Sequence, residues 1–509
     1  MSRKRWVVPT SLLVSLGLVA AACGGDNSGS SGATTAASAA ATTAASTATT
    51  AGATTTAAAA ATTTAAAGGA SGVIPAAGSG KYGVDPNNPD HYVGPNGFEL
   101  DLTNCPSDWN INQGITDTQI DVFASFPKSG PLAGFALLYD GMKAYYDYVA
   151  KNGGIDGRKI VLEDKDDQYA PAATKTNSDE ALAANKYAAF ASMLGTPNNL
   201  GIWDDTNREC MPQLFNATGA AQWGDVENHP WTTGAQLDYF SAATIWAEWL
   251  KQKFPNGAKV ASITFNSDFG KSYLNGFRHA IKGTNLELVG DFPHDPTAPN
   301  LDNQYTSAAA TNADVLLLQT SGAYCTQGMA AVEKGSWKPT VIMSETCGSL
   351  AQFFKPLIDQ GLTGKDTYLI LTGLDVADPA NANVPFIKTY NDVMKAKGFD
   401  PTKTTYFTGW AYGWYLVEVM QEAASYKGGL NRANIMLAAR AIQQTNPTLL
   451  PGLTSKMSGL KDAYLTEGGQ MVQYKITDPK ALGTFVPAGD LINLEGKLGT
   501  YANVKAAGE

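Results

Sequence analysis

The sequence predicts an α/β fold in which parallel sheets are covered by helices and arranged in two Rossmann-like lobes. Between residues 115 and 372, short apolar runs alternate with segments whose apolar residues recur at helical spacing, as in strands joined by crossover helices. Several runs end in small or polar residues, which is typical of loops at the carboxyl edge of a parallel sheet. The alternation restarts after residue 234 and gives way to helices beyond residue 374, which indicates a hinge of three chain crossings.

The elements of the first lobe follow one another as strand, helix, strand and helix. Strands are predicted at residues 120–126, 159–164, 188–194 and 211–217, and helices at residues 135–150 and 172–184. A polar segment of helical length, beginning at Thr196-Pro197, joins the last two of these strands. The three crossings are expected near residues 231–234, 371–373 and 453–470.

The second lobe repeats the pattern, and the chain then returns through helices. Its predicted strands are residues 259–265, 286–291, 314–320, 340–344 and 367–372, and its helices are residues 239–253, 269–282, 303–311, 327–334 and 350–360. Three helices (384–397, 407–425, 431–445) and a strand (471–476) complete the pattern. The boundaries are therefore residues 111–234 plus 373–455 for lobe 1, and 235–372 plus 456–509 for lobe 2.

The first 22 residues read as a secretory signal peptide. The basic segment Ser2-Arg3-Lys4-Arg5 precedes an apolar run, and Ala20-Ala21-Ala22 precedes Cys23. The small residues before Cys23 resemble a bacterial lipobox, which implies acylation of Cys23 and a protein anchored by lipid at the outer face of the cytoplasmic membrane. Ordinary signal cleavage with an incidental Cys23 is the alternative.

Residues 23–110 are expected to form a lipid-anchored linker and an N-terminal extension. The amino-acid composition typical of a folded protein starts near residue 110. Residues 26–67 are almost entirely Ala, Thr, Ser and Gly, so they bury too little apolar surface to fold and act as a tether. The formal net charge of −10 argues against nucleic acid as a partner.

Four cysteines remain after Cys23, and in an exported protein an even number indicates two disulfides, with three pairings open. Cys325 and Cys347 each follow a predicted strand, and parallel neighbouring strands would bring them to one edge. The favoured pairs are therefore Cys325–Cys347 and, by default, Cys105–Cys210. The four histidines are scattered without ligand spacing, so neither a metal site nor a cofactor is expected.

A set of short motifs occurs in a fixed order along the chain. They are Ser129-Gly130-Pro131-Leu132-Ala133, Asn152-Gly153-Gly154-Ile155-Asp156-Gly157-Arg158, Asp166-Asp167, Gly195-Thr196-Pro197-Asn198-Asn199, Pro212-Gln213-Leu214-Phe215, Ala217-Thr218-Gly219-Ala220 and Ser267-Asp268-Phe269-Gly270. Together they resemble the type I periplasmic binding proteins of ABC importers, in the branched-chain amino-acid-binding branch. The resemblance covers residues 115–478, and it implies that Asp166-Asp167 is a structural strand-end turn.

The resemblance implies a clamp for an amino acid. Thr196 matches the family's hydroxyl that holds the ligand carboxylate; on the residues alone, it could merely cap its own helix. Ala217, Thr218 and Gly219 match a loop that offers a carbonyl to the ammonium and a hydroxyl and N–H to the carboxylate. Because relatives often have Thr where this chain has Gly219, the hydroxyl would come from Thr218 or be absent.

Four further residues are assigned to the opposite side or the walls of the site. Glu345 aligns with an acid that pairs with the ligand ammonium in some relatives, the alternative being a solvated glutamate at a strand end. Phe135, Phe269 and Tyr324 match positions of aromatic walls, the alternative being ordinary core packing.

The resemblance therefore implies a non-enzymatic, monomeric receptor. Its lobes would close on a small branched-chain-type amino acid or related solute and present it to the membrane permease of an ABC importer. A ligand sensor that docks to a signalling partner is the first alternative. A hydrolase is the second, although no Gly-x-Ser-x-Gly motif or Ser/His/Asp set supports it.

Overall fold

The computed structural model describes residues 81–508. The predicted signal peptide, Cys23 and the residue 26–67 tether lie outside this range. Within it, no helix is both long enough and apolar enough to cross a membrane. Most strands belong to two sheets, called here the first sheet (five strands) and the second sheet (seven strands).

The first sheet is parallel throughout, and its strand order is β5-β4-β6-β7-β8. Its strands are β4 (Gln119–Phe126), β5 (Lys159–Asp166), β6 (Ala189–Ala191), β7 (Gln213–Asn216) and β8 (Thr232–Gly234). The helices between them are α1 (Leu137–Lys151), α2 (Pro171–Ala183), α3 (Thr196–Leu200) and α4 (Trp203–Arg208). The predicted strand and helix alternation is confirmed here, except that the single polar helix is two short helices.

Three later helices also belong with the first sheet: α10 (Pro385–Ala396), α11 (Thr404–Ser425) and α12 (Arg432–Arg440). Helix α11 lies directly against α1, and each helix supplies a glycine at the contact. A methyl group at Gly141 would collide with the carbonyl of Tyr406, and one at Gly409 with the carbonyl of Leu138. The close packing of these two helices therefore requires glycine at both positions.

The second sheet has the order β10-β9-β11-β12-β13-β16-β17, in which the first five strands are parallel and the last two antiparallel. Its strands are β9 (Ala258–Phe265), β10 (Leu286–His294), β11 (Val315–Gln319), β12 (Thr340–Met343), β13 (Thr367–Leu371), β16 (Gly468–Lys475) and β17 (Thr484–Asn493). Its helices are α5 (Tyr239–Lys253), α6 (Asp268–Ala280), α7 (Asp302–Ala309), α8 (Ala323–Lys334) and α9 (Lys355–Asp359). Strand β17 was not predicted from the sequence, because no turn motif marks the connection between it and its pairing partner β16.

The chain passes between the two sheets at three places, which lie side by side. The first crossing follows β8, the second follows β13, and the third leads through residues 455–468 into β16. In the second crossing the Leu374 N–H donates to the Thr448 carbonyl over 2.8 Å, and in the third the Thr466 hydroxyl donates to the Ala235 carbonyl over 3.3 Å. A two-stranded ribbon, β14 (Gln443–Gln444) and β15 (Ser455–Lys456), adjoins them.

The expectation that folded structure starts near residue 110 is wrong. A three-stranded antiparallel sheet precedes that point: β1 (Gly83–Asp85), β2 (Asn88–Val93) and β3 (Glu99–Asp101). Phe98 and Leu100 of this segment are buried in the hydrophobic core that surrounds the first sheet, and the Val84 N–H donates to the Lys427 carbonyl. The strands are short and polar, so only their tertiary contacts reveal them. The described chain also ends in a helix, α13 (Tyr501–Ala507), that the sequence did not predict.

Both disulfides have the pairing favoured from the sequence, Cys105–Cys210 and Cys325–Cys347. The first ties the segment after β3 to the end of α4, across 105 residues of sequence. The second ties the start of α8 to the turn after β12, across 22 residues.

We expect loss of Cys105–Cys210 to destabilise the fold more than loss of Cys325–Cys347, because the longer loop restricts the unfolded chain more. In the chain-entropy relation the costs are about 5 and about 3 kcal/mol for loops of 105 and 22 residues. Urea unfolding of the two double Cys→Ala variants measures the difference. An equal or reversed order would contradict the expectation.

Candidate functional site

A cavity of about 230 Å³ is lined by loops that follow strands of both sheets. From the first sheet, the loop after β6 contributes Thr196 and the loop after β7 contributes Ala217 and Thr218. From the second sheet, the loop after β12 contributes Glu345 and the loop after β13 contributes Asp375. The two carboxyl edges therefore open onto one space, as expected for a ligand site in parallel α/β sheets.

Thr196 and Thr218 form a buried pair of hydroxyl groups on the first-sheet side. Their Oγ1 atoms lie 2.5 Å apart, and the Trp223 indole N–H donates to the Thr218 carbonyl over 3.1 Å. The interpretation of Thr196 as the cap of its own helix is wrong, because Gly195 precedes α3 and no side chain caps that helix. Gly195 has φ of 104°, a conformation that favours glycine and turns the Thr196 side chain toward Thr218.

Glu345 stands on the second-sheet side, in the turn that Cys325–Cys347 ties to α8. Its two carboxylate oxygens are shielded from solvent, and neither makes a hydrogen bond of ordinary geometry with a described residue. Burial raises the pKa of Glu345 to about 7, the nearby Tyr273 hydroxyl opposes this rise, and the carboxylate of Asp238 adds to it. A buried carboxylate without a counter-charge is costly unless something else pairs with it.

Asp238 is a second buried acid behind the cavity wall. One of its oxygens accepts a hydrogen bond from the Ser241 N–H and so caps α5, while burial raises the pKa of Asp238 to about 6. Its place near Glu345 was not predicted from the sequence, because a capping aspartate has the same sequence pattern whether or not a cavity lies beside it.

The aromatic walls predicted from the sequence are present in part. Phe135 and Phe269 line the cavity, where Phe269 packs edge-on against Tyr239 with 5.0 Å between ring centres. Tyr239 lines it too, and its hydroxyl lies 3.4 Å from Thr218 Oγ1 and 3.2 Å from Gln236 Oε1. Gln236 lies in the first crossing and Tyr239 begins α5, and neither was predicted from the sequence because no motif there points to a ligand.

Charge among the lining residues is entirely acidic. Glu345 and Asp375 are the charged residues that line the cavity within residues 81–508, and no Lys, Arg or His side chain lines it. Several lining atoms are polar and lack a hydrogen-bond partner of ordinary geometry among described residues: the two oxygens of Glu345, Ser349 Oγ and Thr404 Oγ1. The site therefore offers acceptors and hydroxyl groups to a ligand and no fixed positive charge.

Comparison with known proteins agrees with the α/β fold described above. A family model described as "Periplasmic binding protein" matches residues 120–475. The chain belongs to the periplasmic binding protein family. A search of the sequences of curated proteins returned no match.

Solved structures share the fold of this periplasmic binding protein at low sequence identity. One is a fatty acid ABC transporter substrate-binding protein from Thermomonospora curvata (19% identity, TM-score 0.64, covering 76% of this chain and 96% of that one). A second is a branched chain amino acid ABC transporter from Thermus thermophilus with bound valine (16%, 0.64, 74% and 97%). A third is a possible leucine/isoleucine/valine-binding protein from Rhodopirellula baltica SH 1 (15%, 0.61, 75% and 98%).

Two residues assigned to the site from the sequence do not line the cavity in this periplasmic binding protein. A methyl group at Gly219 would lie 2.6 Å from the Tyr239 ring and would also collide with the Leu237 carbonyl, so the glycine gives these residues room. Tyr324 is buried, and its hydroxyl donates to the carbonyls of Pro296 and Ala298, each over 2.8 Å. It holds the loop after β10 in place.

Two groups of acids have internal partners. Asp167 accepts hydrogen bonds from the hydroxyls of Ser125 and Thr174, which agrees with a structural role for the strand-end turn. Oxygens of Asp462, Glu467 and Glu495 lie within 4.8 Å of one another, a grouping that the sequence analysis did not anticipate. The Lys456 ammonium bonds to Asp462 over 3.0 Å and to Glu495 over 2.7 Å, so this group joins the third crossing to the chain after β17 as an ion-pair network.

Glu345→Gln should make the unliganded protein less sensitive to pH. Because the pKa of Glu345 is raised to about 7 in the folded state, the folded protein holds this proton more tightly than the unfolded chain. The stability from this group is complete below pH 4.5 and is lost as pH rises through about 7, an effect of up to about 3 kcal/mol. Melting temperatures at pH 5 and pH 8 should therefore differ less in Glu345→Gln than in the wild type.

Glu227→Gln is the control, because Glu227 is exposed and does not line the cavity. It should keep the wild-type dependence on pH. If the melting temperature of Glu345→Gln depends on pH as strongly as that of the wild type, the Glu345 carboxylate is not the group that causes this dependence.

Proposed function

We propose that this periplasmic binding protein is the solute receptor of an ABC importer and that it captures an amino acid or a related ammonium-bearing solute. The observation that carries the proposal is the buried Glu345 carboxylate, both oxygens of which lack a hydrogen-bond partner of ordinary geometry among the described residues. A ligand ammonium would supply the missing charge and the donors. Such charge-assisted hydrogen bonds are about twice as strong as neutral ones.

The hydroxyl pair of Thr196 and Thr218 supports the other half of the clamp. Hydroxyl groups can donate to a ligand carboxylate, and both side chains line the cavity. The resemblance found in the sequence assigns them this role, together with the Ala217 carbonyl as an acceptor for the ammonium. An amino acid would thus contact the first sheet through its carboxylate and the second sheet through its ammonium.

The walls favour a small ligand with an apolar part. Phe135, Phe269 and Leu237 line the cavity, and its volume of about 230 Å³ lies below the range of roughly 300–1,000 Å³ typical of sites for drug-sized ligands. Branched-chain amino acids are therefore the first class to test. A fatty acid, the solute in the name of the Thermomonospora curvata protein, fits less well, since its carboxylate would meet Glu345 and Asp375 without a basic partner.

Binding would be coupled to closure because the two halves of the clamp come from different sheets. A ligand shifts the equilibrium between open and closed arrangements only by its extra affinity for the closed one. Contacts to both Thr196 and Glu345 exist only when the two sides are close. The closed form would then be the one delivered to the permease.

The protein would work while tethered at the membrane surface. The lipobox-like sequence before Cys23 and the Ala/Thr-rich stretch of residues 26–67 support a lipid anchor followed by a spacer. The three crossings would serve as the hinge between lobes.

Leucine, isoleucine or valine should stabilise the full chain against thermal unfolding. A ligand that binds only the folded state adds about 2.7 kcal/mol when its concentration is 100 times Kd. Thermal shift against the twenty amino acids and their amides measures this. No shift with any amino acid would refute the proposed ligand class.

Thr196→Val and Thr196→Ser form a matched pair for the carboxylate side of the clamp. Valine keeps the shape of the side chain and removes the hydroxyl, so affinity for the amino acid should fall about tenfold or more. Serine keeps the hydroxyl, so its affinity should stay within a few-fold of the wild-type value. The unliganded valine variant should melt slightly lower, because it loses the bond to Thr218. Equal affinities in the wild type and Thr196→Val would show that the Thr196 side chain contributes to packing and that its hydroxyl does not bind the ligand.

Cys23→Ala should release the protein from the membrane. Acylation needs the thiol, so the variant should appear in the soluble fraction after cell breakage, whereas Ser28→Ala should stay with the membranes. Retention of Cys23→Ala on the membranes at the molecular mass of the cleaved protein would exclude Cys23 as the anchor.

A further inference from the structure

The cavity holds a second acid that the amino-acid clamp leaves unused. Asp375 lines the cavity four residues after the end of β13 at Leu371, and Glu345 lines it two residues after the end of the neighbouring strand β12 at Met343. Because β12 and β13 are parallel, both acids lie beyond the same carboxyl edge. Both acids line the same cavity of about 230 Å³, so a single ligand bound there faces both.

The surroundings of Asp375 contain no compensating cation among the residues that line the cavity within the described chain. One carboxylate oxygen accepts a hydrogen bond from the Ala377 N–H over 2.9 Å. Burial raises the pKa of Asp375, the nearby Asp378 carboxylate raises it further, and the Thr404 hydroxyl opposes the rise. Thr404 Oγ1 itself is buried without a hydrogen-bond partner of ordinary geometry among the described residues. This end of the cavity thus resembles the Glu345 end: an acid and a hydroxyl with no basic side chain.

Apolar groups accompany Asp375 along the wall. Leu371 and Leu374 come from the same crossing, while Phe407 and Ala411 come from α11. A ligand that reaches Asp375 would therefore have an aliphatic stem and a charged end. Leucine or valine would cover this partly buried carboxylate without supplying a counter-charge, and covering an uncompensated charge weakens binding.

We propose that the ligand is a basic amino acid with an aliphatic stem, such as lysine or ornithine, whose distal ammonium pairs with Asp375 while its α-ammonium pairs with Glu345. This proposal rests on the proposed function and specifies its ligand further: the side chain of the bound amino acid ends in a cation and is not purely apolar. The charges of the two acids and the two ligand ammonium groups then balance inside the cavity, with the ligand carboxylate left to Thr196 and Thr218.

The test compares lysine with norleucine, which has the same carbon chain without the distal ammonium. Isothermal titration of the full chain should give at least about tenfold tighter binding of lysine, as expected for a charged hydrogen bond. If norleucine or leucine binds as tightly as lysine, this inference is overturned and the proposed function stands. If lysine and ornithine do not bind while another amino acid does, the inference is overturned and the proposed function stands; if none of the twenty amino acids binds, both fail.

Asp375→Asn isolates the charge, because asparagine can still accept the Ala377 N–H. It should weaken lysine binding about tenfold and leave norleucine binding within about twofold. Asp378→Asn is the control, since Asp378 is also an acid of this loop, does not line the cavity, and accepts from the Ala380 N–H. Equal weakening of lysine and norleucine by Asp375→Asn would mean that Asp375 only shapes the loop, and would overturn the pairing.

Discussion

Two parallel sheets can share one ligand site only when their carboxyl edges face a common space, and the three chain crossings impose this arrangement. The crossings lie side by side, and the Thr466 hydroxyl of the third crossing donates to the Ala235 carbonyl of the first over 3.3 Å. Loops that follow strands of both sheets line the cavity, together with residues of α11. Thr196 and Glu345, which are 149 positions apart in sequence, consequently line one cavity of about 230 Å³.

The polarity of that cavity has an energetic cost for the unliganded protein. The Glu345 carboxylate is shielded from solvent and that of Asp375 is partly buried, neither has a basic neighbour on the lining, and Asp238 adds a third acid behind the wall. In a stable core such groups would be paired or replaced by apolar side chains. Retaining them is reasonable if a cationic ligand offsets the cost, because binding then gains from the relief of an unfavourable state.

Part of the site could be inferred from the sequence, because motifs record local backbone requirements. Gly195-Thr196-Pro197 marks a sharp turn into a helix, and the turn aims the Thr196 hydroxyl at Thr218. Phe135, Phe269 and Glu345 also line the cavity as the resemblance implied. Gly219 and Tyr324 do not, since a motif cannot distinguish a residue in the wall from one packed directly behind it.

The sequence by itself determined the alternation of strands and helices, the restart after residue 234 and the favoured cysteine pairing, because periodicity and local turn chemistry are short-range properties. Only the tertiary structure decided that residues 83–101 join the fold, that Tyr239 and Gln236 reach the site, and that Glu345 and Asp375 lack basic neighbours on the cavity lining within the described residues. These facts depend on which loops meet across the crossings. The electrostatic environment of a side chain is set by residues distant in sequence, so no local pattern could have shown it.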